Sequence, residues 1–224
     1  MRSNSLTRRH FVLGATGFTS LALAGCVSAP APAPMPASPP KPRIDPVALG
    51  YGPVLDEPFP IPAARIDRVD PKYYRQEVDD PTGEAPGTVV VDTPARFLYH
   101  VMPGGRAMRY GVGIGRDGFA WGGRAIIAYK RKWPRWTPPA DMIGRQPELE
   151  KYRYGMEPGL NNPLGARALY IHKDGKDTLY RLHGSGEEWT IGKAVSSGCV
   201  RLLSQDIIHL HDRVRDGSPI HVIQ

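Results

Sequence analysis

The chain has 224 residues, 29 of them Lys or Arg and 22 Asp or Glu, for a formal net charge of +7. That excess is small and dispersed along the chain, which argues against a nucleic-acid partner and suits a carboxylate-bearing polymer or an anionic membrane surface. Only Cys26 and Cys199 supply thiols, so a disulfide-stapled scaffold is excluded.

Residues 1–25 read as an address rather than as structure: they hold no acidic residue, and a basic stretch leads into an apolar run from Phe11 to Ala24. Gly14 and Gly17 dilute that run, which is short for a bilayer span. The segment Thr7-Arg8-Arg9-His10-Phe11-Val12-Leu13 resembles a twin-arginine export signal. Leu23-Ala24-Gly25-Cys26 resembles a lipobox, which implies cleavage before a lipid-carrying Cys26; the other reading is an ordinary secretory peptide in which Cys26 is incidental. The expectation is an exported lipoprotein on the periplasmic side, anchored to a membrane through Cys26 without spanning it. Val27 in place of an aspartate favours the outer membrane. Loss of residues 1–25 removes Arg2, Arg8 and Arg9 and no acid, which lowers the net positive excess to four.

From Val27 to about Pro46 the chain is built almost wholly of Ala, Pro, Ser and Met, a composition that favours extended polyproline conformations and buries no core. Residues 47–86 remain proline-rich, with Ile61, Ile66 and Val69 as scattered apolar points and Tyr73-Tyr74 as a docking site. Residues 26–86 are therefore expected to be a tether and partly ordered arm, and residues 87–224 the folded domain. Alternating and β-branched residues predict strands at 88–92, 95–102, 107–114, 124–129, 168–172, 178–183, 199–202 and 219–223. Many short strands with Gly-rich turns predict a mainly β fold, a sandwich or irregular barrel. One helix packs near the C-terminus: Ser204 caps it, Ile207, Leu210, His211 and Val214 recur at helical spacing, and Gly217 ends it. Between Lys130 and Pro163 a long segment carries Trp133 and Trp136 without a clean period. Its length predicts a functional loop and its tryptophans argue against disorder, so it reads as a substrate lid.

The chemistry concentrates in Leu182-His183-Gly184-Ser185-Gly186 and Val195-Ser196-Ser197-Gly198-Cys199-Val200-Arg201-Leu202. A strand that ends at His183, followed by a loop that returns to Cys199, lets the two side chains meet. An imidazole that takes the thiol proton would activate a group whose free pKa is about 8.5. Gly184 and Gly198 leave backbone N–H groups open to an oxyanion, or are simple turn glycines. Ser196 or Ser197 orients the imidazole or donates to the oxyanion. Arg201, on the strand face of Cys199, receives a substrate carboxylate or forms a surface ion pair. A lone thiol is as often buried as functional. His209 and His211 read as a solvated pair, because positions two apart do not share a helix face.

The order His-Gly-Ser, a loop, then Ser-Ser-Gly-Cys-Val-Arg resembles the motif of the YkuD L,D-transpeptidases, with Ser196 at the family's Ser/Thr position three before the cysteine. The resemblance extends to Leu98–Gly115, Gly118–Trp121, Trp133–Met142 and Asn162–Tyr170, and covers roughly residues 87–224. Ser197 stands where some members carry histidine. The resemblance implies Cys199 as nucleophile and His183 as proton donor and acceptor. The implied reaction is acyl transfer on peptidoglycan stem peptides through a thioester: terminal D-alanine is released, an amine is the acceptor, and no cofactor or metal takes part. A peptidase on the same fold and a non-catalytic wall-binding lipoprotein are the alternatives. The dyad further predicts that Cys199 alkylates faster than free cysteine at neutral pH.

Overall fold

A computed structural model describes residues 45–115, 122–196 and 198–224. The segments read as an export signal and lipobox, most of the expected tether, Gly118–Trp121 and Ser197 lie outside the described residues. In chain order the strands are β1 (Gln76–Asp79), β2 (Val89–Asp92), β3 (Phe97–Met102), β4 (Arg106–Gly111), β5 (Ile114–Gly115) and β6 (Gly123–Lys132). Helix α1 (Ala140–Arg145) follows, then β7 (Arg167–Lys173), β8 (Lys176–Ser185), β9 (Ala194–Ser196), β10 (Val200–Leu203), helix α2 (Ser204–His211) and β11 (Pro219–Ile223). Each expected strand is present, with ends shifted by a few residues.

Among the described residues nine strands form one sheet in the order β1-β4-β3-β2-β11-β6-β7-β8-β10, and β5 pairs with β9. The sheet curls until its far edge returns. Arg201 of β10 and Gly113 beyond β4 exchange backbone hydrogen bonds of 2.8 and 2.9 Å. The fold is mainly β, an irregular barrel whose interior holds Val89, Leu98, Tyr110, Ile127, Leu169, Leu182 and Leu202, with Ile207 and Leu210 of α2 pressed into it. Each such aliphatic side chain contributes about 1.5–3 kcal/mol by leaving water. Gly113 is required at the closure, since a Cβ there would lie 2.6 Å from the Thr190 carbonyl oxygen.

Three expectations are corrected. Residues 47–86, expected as a partly ordered arm, are packed onto the domain: Tyr51, Ile61, Ala64, Ile66 and Val69 are buried, and β1 extends the sheet by pairing with β4. Apolar residues too sparse to show a period pack because the domain offers them a surface. Ser204 is the first residue of α2 and makes no cap bond; its hydroxyl donates to the Ser185 carbonyl, 3.4 Å away. His209 and His211 are not solvated, since Nδ1 of His209 bonds the Tyr110 hydroxyl at 2.8 Å and His211 is buried.

Candidate active site

Side chains alternate along a strand, so the interior positions of Leu182 and Leu202 put His183, Arg181 and Arg201 on the outer face of the barrel. β8 and β10 run parallel with His183 opposite Arg201. Carried two residues back, that register sets Cys199, immediately before β10, beside Arg181, whose backbone hydrogen-bonds the thiol. His183 and Cys199 are thus diagonal neighbours on one face of adjacent strands. They come from a strand interior and a strand entry, not from two strand ends, because β8 continues to Ser185.

Local sequence explains each position. Gly198 has φ of 131°, a conformation side chains rarely adopt, and this turn delivers Cys199 into β10. Gly184 is required by packing, since a Cβ there would stand 2.9 Å from Ile207 Cγ2. The Gly184 carbonyl lies 2.8 Å from His183 Nδ1. A carbonyl only accepts, so Nδ1 carries the proton and Nε2 is the basic nitrogen. Ser196 closes β9, whose pairing with β5 carries the chain to the turn before Cys199.

The electrostatics favour a neutral pair. Burial lowers the His183 pKa to about 4, with Arg201 and Arg181 acting in the same direction; the backbone carbonyls of Gly184 and Pro163 oppose them. Burial pushes the Cys199 thiol up, and Arg181 and Arg201 offset part of that. Arg201 is engaged by Glu187, its guanidinium nitrogen 2.6 Å from the carboxylate.

Two clefts flank this point. One, of about 470 Å³, exposes Cys199 and Gly198 among Trp136, Met142, Tyr170 and Arg181. The other, of about 540 Å³, exposes Arg201, Ser185, Glu187 and Pro163. Between them runs the loop 162–166, with Leu164 facing the first cleft and Pro163 and Gly165 the second. The long segment is folded: it contains α1, Trp136 and Met156 exchange backbone hydrogen bonds, and buried Asn162 donates to the carbonyls of Pro134, Met156 and Glu157. Trp136 borders the Cys199 cleft. Trp133 is placed otherwise than a lid residue. It is 9% exposed, packs with Phe59, Ile61 and Ala166, and donates from Nε1 to Glu57 at 2.6 Å.

Arg181 and Asn162 escaped the sequence reading. The period of two applied backwards from His183 reaches Arg181; nothing in the sequence marks Asn162 as the residue that ties the Pro134 carbonyl, 28 positions away, to those of Met156 and Glu157 just before it. Among the described residues no group of three or more His, Cys, Asp or Glu is arranged to hold a metal ion.

Residues 86–222 match the family model described as the YkuD L,D-transpeptidase catalytic domain. The chain is 32% identical over 144 residues to the probable L,D-transpeptidase YcfS of Escherichia coli, covering 60% of this chain and 43% of that protein. It is also 32% identical over 139 residues to the probable L,D-transpeptidase ErfK/SrfK of Salmonella typhimurium, again over 60% and 43%. The chain therefore spans less than half the length of these relatives. Among solved structures, a Brucella melitensis protein described as a probable carnitine operon oxidoreductase is 43% identical, with TM-score 0.49, over 69% of this chain and 96% of that one. An L,D-transpeptidase from Mycobacterium smegmatis is 19% identical, with TM-score 0.43, over 61% and 58%.

Proposed function

The chain belongs to the YkuD family of L,D-transpeptidase catalytic domains, and on that basis we propose that it transfers acyl groups between peptidoglycan stem peptides through a thioester on Cys199. The observation that carries the reading is the register of β8 and β10, which sets Cys199 and His183 on one face, with His183 Nδ1 bonded to the Gly184 carbonyl so that Nε2 is left as the base.

In the first step the Cys199 sulfur attacks the carbonyl before the terminal D-alanine of a tetrapeptide stem, while His183 Nε2 takes the thiol proton. The S–C bond forms, the C–N bond breaks, and His183 returns the proton to the departing amine. Arg181 and Arg201 lower the free energy of the sulfur anion as it forms. Arg135, Arg145 and Arg181 line the Cys199 cleft with Asp141, the first paired with Glu157 and the third with Asp177, and these guanidinium groups can meet the stem's carboxylates. Trp136 and α1 border that cleft and limit the access of water to the thioester. The resemblance of residues 7–13 to an export signal and of residues 23–26 to a lipobox supports the reading that the domain works outside the cytoplasm, tethered to a membrane through Cys26.

The test is incubation of purified protein with a tetrapeptide stem, with D-alanine release and protein mass followed together. A mass increase equal to the stem less D-alanine, absent in Cys199→Ala, is expected. Release of D-alanine by Cys199→Ala would overturn the reading.

A further inference from the structure

The cleft that holds Cys199 is lined wholly from within the family domain, whereas the cleft on the Arg201 side takes one wall from Ile61, Pro62 and Ala64, well before residue 86. That wall is held at several points. Val54 and Ile61 exchange backbone hydrogen bonds of 2.9 and 2.8 Å. The loop between them presents Glu57 to Arg167 at 3.0 Å and to Trp133 Nε1. Gln205 of α2 donates from Nε2 to the carbonyls of Gly52 and Pro62, each at 3.0 Å. Asp206 holds Tyr51 and Arg75 at 3.2 and 3.0 Å.

The clefts also differ in charge. Glu187 and Glu188 stand with Arg201 on the walled side. A group that carries an ammonium and a carboxylate on one carbon matches this set, its ammonium toward the glutamates and its carboxylate toward Arg201. Glu187 is half exposed, and an ion pair of that kind is held weakly, so it opens readily for a ligand.

Resting on the acyl-transfer reading above, we infer that residues 51–75 build the acceptor cleft, and that Pro62, with Ile61 and Ala64 behind it, selects an amino-acid-like amine as the group that reaches the thioester. The bound ammonium gives one proton to a cleft glutamate. Its nitrogen then attacks the thioester carbonyl, the N–C bond forms, the C–S bond breaks, and the second proton passes through His183 to the sulfur.

Pro62 is exposed, and its carbonyl bond to Gln205 survives side-chain replacement. The experiment uses the full chain with a tetrapeptide donor, and D-methionine or D-methioninamide as acceptor, in wild type, Pro62→Trp and Pro62→Glu. Both variants should keep the wild-type melting temperature and form the acyl-enzyme at a rate within about twofold of wild type. Pro62→Trp should lower kcat/KM for D-methionine by at least about tenfold and raise the share of hydrolysis. Pro62→Glu should shift preference from D-methionine toward the amide, by repulsion of the carboxylate. Unchanged acceptor kinetics in both variants, or an equal fall in acylation, would overturn the inference. A wild-type protein that forms no acyl-enzyme would instead remove the acyl-transfer reading on which it rests.

Discussion

Arg201 on β10 stands directly across a parallel ladder from His183 on β8, and this cation acts with burial to keep the imidazole unprotonated. The same guanidinium, with that of Arg181, offsets part of the burial that raises the Cys199 thiol. One pair of arginines thus disfavours a charged imidazole and favours a charged thiolate.

The first prediction follows from that balance and reverses the expectation of fast alkylation at neutral pH. With the thiol raised and the histidine lowered to about 4, the resting pair is neutral at pH 7. Iodoacetamide should modify Cys199 more slowly than free cysteine at pH 7, with a rate still rising above pH 9. Turnover should hold as pH falls to about 5, because His183 keeps its basic form down to about 4. His183→Ala should lose on the order of 10²–10⁴ in kcat. An alkylation rate that reaches its plateau below pH 7 would show an ion pair instead.

The second prediction concerns packing behind the histidine. Gly184→Ala drives a methyl to within 2.9 Å of Ile207 Cγ2 and should destabilise the fold by about 1–3 kcal/mol. Ile207→Ala removes a fully buried side chain and should destabilise by about 2–5 kcal/mol. The double variant should be more stable than the sum of the two effects implies, since each change relieves the other. Strict additivity in urea melts would mean that the contact does not constrain α2.

A third prediction separates the two tryptophans. Trp133 sits at φ of 44°, held by its backbone bond to Ala166 and by Glu57. Trp133→Ala should destabilise by about 3–5 kcal/mol. Trp136, at the Cys199 cleft, is only half-buried. Trp136→Ala should leave the melting temperature nearly unchanged and raise the share of thioester lost to water. Equal destabilisation by the two substitutions would place Trp136 in the core as well.

The fourth prediction uses Asp206, a fully buried carboxyl with its pKa raised to about 7 by burial, against the pull of Arg75 and the Tyr51 hydroxyl. Between its unfolded value of about 3.9 and about 7, the folded state binds more protons than the unfolded state. The contribution of Asp206 is therefore fully present below the unfolded pKa and is lost as pH rises through about 7. His183 and His209, both lowered to about 4, act in the opposite sense over pH 4–6.5. Stability of Asp206→Asn relative to wild type should thus improve with rising pH between 4 and 7, by up to about 1.4 kcal/mol per pH unit. A difference that does not change with pH would mean that Asp206 stays ionised throughout.

Local sequence settled the elements whose residues carry a period. Val89, Val90 and Val91 dictate a strand, and Ile207, Leu210 and Val214 dictate one face of a helix, because alternation and helical spacing are written in consecutive residues. The motif around His183 and Cys199 was legible for the same reason, since one strand and the entry to its neighbour carry both groups. What the tertiary structure decided is what depends on distant partners. Tyr51 and Ile61 look like isolated residues in a proline-rich arm until Asp206, Gln205 and Trp133 give them a surface. Trp133 and Trp136 share a segment and a residue type, yet one is anchored by Glu57 and the other borders Cys199. The protonation of His183 likewise follows from its burial and from Arg201 across the ladder, against the carbonyls of Gly184 and Pro163, and desolvation of that kind is a property of the assembled chain rather than of any stretch of it.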